Sequence, residues 1–262
     1  MDTQDLTREY LSSSQLHDGS WGRGEPVICA RALYALQGHA PEDIIIKGLK
    51  YLESTQEPDG HFGRKPGTYT DAANTAYTMI VLNRFDYGKA SLPISKGIMW
   101  LLENQNEDGS WGPNAHKKGF TTTLCLRALH TFYLSGIRRF AKGLDYSMEY
   151  VKSLSFEDEP VTHVYGPVLN LMRIGYLDDV IKEKFIEYSW TVARDSIGDG
   201  RISDVASLLG TLKALEEEEI SSVIEEWLPA VQNADGGFGK IVDTPSDPGT
   251  TALVLLAFSN KF

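Results

Sequence analysis

Three carboxylates stand where the hydrophobic periodicity starts a helix. Glu25 precedes Pro26, Glu159 precedes Pro160, and Asp204 follows Ile202 and Ser203. A carboxyl group at the mouth of an apolar cavity is raised in pKa by desolvation and can act as an acid, although a helix N-terminus favours the anion. Glutamate is not among the preferred helix caps, so Glu25 and Glu159 read either as acids or as exposed rim charge. The order expected for a proton donor is Asp204, then Glu159, then Glu25. Asp71, Asn74, His163 and Asp247 stand at or near other helix starts. The rings of Tyr77, Phe120 and Tyr165 could stabilise a cation, and Arg31 and Arg127 could hold a diphosphate. These nine residues form the expected substrate-binding set. Each also has a structural reading: the aspartates as helix caps, the rings as core, and the arginines as complements to helix dipoles.

A repeated turn positions them. Gln105, Asp108, Gly109, Trp111 and Gly112 recur as Gln15, Asp18, Gly19, Trp21, Gly22, as Gln56, Asp59, Gly60, Phe62, Gly63, and as Gln232, Asp235, Gly236, Phe238, Gly239. Self-similarity at about 40–50 residues marks a repeat architecture. Asp-Gly is a turn dipeptide, with glycine supplying a positive φ. The glutamine ends a helix and bonds free backbone groups, while the aromatic ring covers that polar knot. Tyr150 to Ser155 and Arg194 to Ile202 read as decayed copies, giving turns near residues 15, 56, 105, 153, 197 and 232. The spacing predicts helices over 3–15, 26–38, 41–56, 71–85, 91–104, 120–134, 139–153, 160–175, 178–193, 202–216, 219–232 and 248–260. Paired across the turns, they make an all-α α6–α6 toroid over residues 1–262 as one domain. The later, more apolar helix of each pair forms the inner ring, and the first and last repeats close it.

Downstream apolar stripes align Glu25, Ala73, Thr121, Glu159, Asp204 and Gly249 at the inner-helix starts. One turn deeper they align Cys29, Tyr77, Cys125, His163, Leu208 and Leu253, and they make Arg31 equivalent to Arg127. The net charge of −11 argues against nucleic acid or an anionic membrane surface as partner. The first residues show no leader pattern and no apolar run reaches a membrane span, so a cytoplasmic protein is expected. The two cysteines make neither a metal pair nor a disulfide framework.

The repeated turns resemble the QW-type repeats of the squalene/terpenoid cyclase and protein prenyltransferase β-subunit superfamily, whose fold is the α6–α6 barrel. Class II terpene cyclases carry a D-x-D-D-T-A pattern at an inner-helix start, with the middle aspartate as acid. Residues 71–76 and 247–252 are similar in frame, but Ala73 and Gly249 occupy the acid position. The zinc pattern of the prenyltransferases is also broken, since Asp71-x-Ala73 lacks the cysteine, so no metal is expected. The resemblance implies a cyclase-like enzyme, an isomerase or lyase in reaction class, that protonates an isoprenoid or similar apolar chain through a non-standard acid. The alternative is a non-catalytic barrel that holds a prenyl chain or a protein; a prenyltransferase-like subunit ranks below both. No cofactor is expected, magnesium entering only with a diphosphate substrate. A single barrel implies a smaller substrate, a partner chain or a homo-oligomer.

Overall fold

A computed structural model describes residues 2–63, 70–113, 115–156 and 159–260. Among them lie twelve helices: α1 (Thr3–Ser13), α2 (Pro26–Leu36), α3 (Glu42–Ser54), α4 (Asp71–Asn83), α5 (Leu92–Glu103), α6 (Ala115–Thr131), α7 (Arg138–Ser153), α8 (Val161–Arg173), α9 (Asp179–Gly198), α10 (Ile202–Ala214), α11 (Glu218–Ala230) and α12 (Pro248–Phe258). The only extended pairing in the described residues is a bridge between Gln56 and Phe62.

The even-numbered helices pack in the cycle α2–α4–α6–α8–α10–α12 and back to α2, and each odd-numbered helix lies outside a member of that ring. The division follows from composition. Residues 29–36 of α2 and 249–257 of α12 are all buried, as expected for a helix apolar around its whole circumference. In contrast, α3 buries only Gly48, Tyr51 and Leu52, a single stripe. The expected α6–α6 toroid is the fold observed.

The repeated turn does more than reverse the chain. In each full copy the glutamine amide donates in two directions. One goes to its own turn: Gln105 Nε2 to Gly109 O at 2.8 Å. The other goes to the first turn of the next outer helix: Gln15 to Ile44 O, Gln56 to Pro93 O and Gln105 to Arg139 O, all at 2.8–2.9 Å. Gln232 completes the series by donating to Thr3 O at 3.1 Å, which joins the last repeat to the first and closes the ring. The Asp-Gly glycine needs both its freedoms. Gly109 has φ +88°, and a Cβ there would stand 2.4 Å from Lys142 O. The indole N–H groups of Trp21 and Trp111 donate to Leu11 O and Leu101 O at 2.7 Å. Phe62 and Phe238 fill the same place fully buried, each contributing about 1.5–3 kcal/mol by burial.

One turn that lacks glutamine behaves differently. Helix α9 runs on to Gly198, five residues past the expected end, and the reversal comes at Asp199 and Gly200, where φ is +67°. With no amide to tie the helix end at Ala193, Ser196 stays in the helix and is buried. Helix α6 starts at Ala115, ahead of the expected Phe120. A Lys118 to Asp108 ion pair of 2.8 Å fastens its first turns to the preceding reversal.

Candidate functional site

The turns fix the register of the inner helices through a contact that the apolar stripes did not reveal. The backbone N–H of each turn aromatic donates to a small side chain on the inner helix that follows. Trp21 N bonds Cys29 Sγ at 3.3 Å, Phe62 N bonds Thr75 Oγ1, Trp111 N bonds Thr122 Oγ1, and Phe238 N bonds Thr251 Oγ1, the last three at 2.9 Å. Cys29, Thr75, Thr122 and Thr251 are therefore equivalent. Counting from them, Glu25 matches Asp71 and Asp247 rather than Ala73 and Gly249, and Arg31 matches Leu124 rather than Arg127. The threonine shared by the two D-x-D-D-T-A-like frames anchors a turn. Asp247 caps α12, accepting from Thr250 N at 2.8 Å and Oγ1 at 2.9 Å. Thr70, not Asp71, caps α4, and Asp71 is exposed.

Asp204 and Glu159 do share a site. They line a cavity of 850 Å³ together with Leu154, Phe156, Val161, Tyr188, Val192 and Arg201. Its walls come from residues 154–156 and 159–161, one face of α9, and the start of α10. It thus opens beside the outer helix α9 in the fourth and fifth repeats, and Glu25 is not among its walls. The Asp204 side chain sits in the first turn of α10 with about a fifth of its surface exposed (22%), and Arg201 Nε lies 3.6 Å away. Burial pushes the Asp204 carboxyl above the ordinary carboxylate range, and Arg201 only partly opposes this. Tyr188 is pushed up to about 12, chiefly by burial and then by the charges of Asp204 and Glu159. Its hydroxyl donates to Glu159 O at 3.2 Å. Glu159 Oε2 lies 3.1 Å from His163 Nδ1, so His163 joins the site through Glu159. Tyr188 and Arg201 were missed from sequence. Tyr188 sits on an outer helix, and an inner-ring search does not reach it.

The remaining expected residues divide among other places. Phe120 packs on Gly166, where a Cβ would stand 2.3 Å from its ring, so it joins α6 to α8. Tyr165 is buried in the core. Asn74 is 2% exposed, and its Oδ1 is without a hydrogen-bond partner. Arg31 lies over the Tyr77 ring, 5.7 Å from its centroid, and Arg127 donates to Asn170 Oδ1 at 3.3 Å. Cys29, Cys125 and His163 do not converge. Cys29 faces the Trp21 turn, and the Cys125 thiol lies 3.7 Å from Ala72 O with burial pushing its pKa up. Among the described residues no group of three histidine, cysteine or carboxylate side chains could hold a metal. No described helix is long and apolar enough to cross a membrane.

Comparison with known proteins agrees with this architecture. The model of the squalene-hopene cyclase C-terminal domain matches residues 26–124. The chain is 29% identical over 122 residues to drimenyl diphosphate synthase of Streptomyces showdoensis, a match over 42% of this chain and 23% of that protein. It is 31% identical over 134 residues to squalene–hopene cyclase of Zymomonas mobilis, over 42% of this chain and 20% of that one. The matches thus span under a quarter of these relatives' length. Among solved structures, the type II terpene cyclase MstE from Scytonema superposes with TM-score 0.67 at 11% identity, covering 97% of this chain and 96% of that one. Candida albicans protein geranylgeranyltransferase-I complexed with GGPP gives TM-score 0.69 at 15% identity, covering 98% and 91%. The fold is thus the α/α toroid that these solved structures share, and residues 26–124 resemble the squalene-hopene cyclase C-terminal domain.

Proposed function

We propose that this toroid is a terpenoid-cyclase-like enzyme in which Asp204 protonates an isoprenoid or similar apolar chain. The observation that carries the reading is the Asp204 carboxyl itself: an acid in the first turn of an inner helix, on an 850 Å³ cavity, with burial raising its affinity for the proton. In this reading the carboxyl O–H gives its proton to an alkene carbon. The π electrons form the new C–H bond, and a second alkene attacks the resulting cation. Loss of a proton from the cyclised cation ends the sequence. Phe156 and Tyr188 supply aromatic faces to the cavity. Two relatives, a drimenyl diphosphate synthase and a squalene–hopene cyclase, support the substrate class. No resident cofactor is proposed, and magnesium would enter only with a diphosphate substrate. Glu25, on the opposite part of the ring, does not line this cavity.

A second reading rests on the character of the walls. Glu159, Lys184, Glu187, Asp195, Arg201 and Asp204 all line the cavity, and charged walls suit holding a polar partner better than shielding a carbocation. The alternative is thus a barrel that binds without turnover. Product analysis by gas chromatography–mass spectrometry separates the two. The chain is offered geranyl, farnesyl and geranylgeranyl diphosphates and squalene, with and without magnesium. A cyclised product supports the enzyme, whereas recovery of every substrate unchanged supports the binding barrel.

A further inference from the structure

The opposite mouth of the ring, where the inner helices end, has a different chemistry. Arg84 is the C-cap of α4 and Arg173 is the last residue of α8, and both are exposed. Arg127 lies deeper on α6 and is buried. The three belong to different repeats and stand towards the same ends of the inner helices. Arg127 bonds Asn170, about one turn before Arg173 on α8, and the charges of Arg173 and Arg84 both act to lower the Arg127 pKa. The Arg84 guanidinium lies 5.7 Å from the centroid of the Tyr34 ring, at the end of α2. Arg173 Nη2 donates to Asn260 Oδ1 just past α12, at 3.3 Å. Among the described residues, no carboxylate forms an ion pair with Arg84, Arg127 or Arg173.

Two facts make this arrangement unusual. The chain carries a net charge of −11, yet three arginines stand at one mouth without an ion-paired carboxylate among the described residues. Capping of helix dipoles accounts for Arg84 and Arg173, which stand at C-termini. It does not account for Arg127, which lies a full turn inside α6 with a neutral amide as its partner. Burial and the neighbouring arginines draw Arg127 down to about 10, so the buried cation is held at a cost. An anion placed between the three would offset that cost through charge-assisted bonds to guanidinium groups.

We propose that the mouth formed by the inner-helix C-termini is an anion seat for a phosphate or diphosphate group, with Arg84 and Arg173 at its rim and Arg127 as its floor. It lies at the far end of the ring from Asp204 and does not depend on the chemistry there. The test is isothermal titration calorimetry of the whole chain with inorganic diphosphate and with inorganic phosphate. The wild type should bind diphosphate with an affinity that falls as salt is added. The surface double variant R84Q/R173Q should bind it at least about tenfold more weakly, and R127Q should do the same if it folds. Arg8→Gln, in an ion pair on α1, should bind as the wild type does. Equal binding by R84Q/R173Q, or no binding of either anion by the wild type, would overturn the proposal. Geranyl diphosphate and phosphatidylcholine vesicles containing phosphatidic acid then distinguish a free phosphate ester from a lipid headgroup. Arginine-dependent binding of the first assigns a free phosphate ester as occupant, of the second a lipid headgroup, and of neither an inorganic anion.

Discussion

At the scale of the residue, Asp204 is under two opposed influences. The start of α10 and Arg201 at 3.6 Å favour its anion, while burial favours the acid and prevails. The sign of the stability effect follows. The native state holds this proton more tightly than the unfolded chain does. Stability is therefore greatest where both states are protonated, and is lost as pH rises from the ordinary carboxylate range through the raised native value. Asp204→Asn should unfold at higher urea than the wild type at about pH 8 and show no such gain at about pH 3. A gain of equal size at both would mean that the substitution acts through packing and not through the charge. The place of Asp204 at a helix start was legible in the sequence because an apolar run opens at Ile202. Its partners were not. Arg201 precedes that helix, and Tyr188 reaches the site from an outer helix through side-chain geometry that periodicity does not encode.

At the scale of the element, the turn motif is a hydrogen-bonding device. Gln105 satisfies one carbonyl in its own repeat and one in the next, so Gln105→Ala should cost about 1–3 kcal/mol, measured by urea denaturation. The register contact has its own consequence. Thr122→Val keeps the shape but leaves the buried Trp111 N–H without its acceptor, and the same measurement should show a loss of about 1–3 kcal/mol. No loss would mean that Thr122 is not the anchor. The helices and their inner or outer roles could be read from the chain because period and apolar content both differ between them. The phase of the inner helices could not, because a helix apolar on all sides has no stripe to align on. Residues 249–257 of α12 illustrate this, all of them buried. The phase is set instead, in four of the six repeats, by one small hydrogen-bonding side chain. Of the two turns without glutamine, one shifted the end of its helix: α9 continues to Gly198, whereas α7 ends at Ser153 as expected.

At the scale of the whole molecule, the ring is closed by the same bond that joins neighbouring repeats. Gln232 reaches Thr3 O and also Thr7 Oγ1, both at 3.1 Å, and a Cβ on Gly236 would stand 2.5 Å from Leu6 O. The seam between last and first repeat is thus built like the others. Gln232→Ala should therefore cost as much as Gln105→Ala, within about 0.5 kcal/mol. A much smaller loss at Gln232 would indicate an open ring. Closure also gives the molecule two unlike mouths, with Asp204 and Glu159 at the inner-helix starts and Arg84 and Arg173 at the inner-helix ends.

The claim that Asp204 is a proton donor is tested most directly by turnover in heavy water. Wild type, Asp204→Asn and Glu159→Gln are compared on whichever isoprenoid is converted, and product deuterium is read by mass spectrometry. The account predicts a cyclised product carrying one deuterium from the wild type, a loss of at least about a hundredfold in Asp204→Asn, and a smaller loss in Glu159→Gln. Undiminished, deuterium-labelled product from Asp204→Asn, or product from the wild type without deuterium, would contradict it.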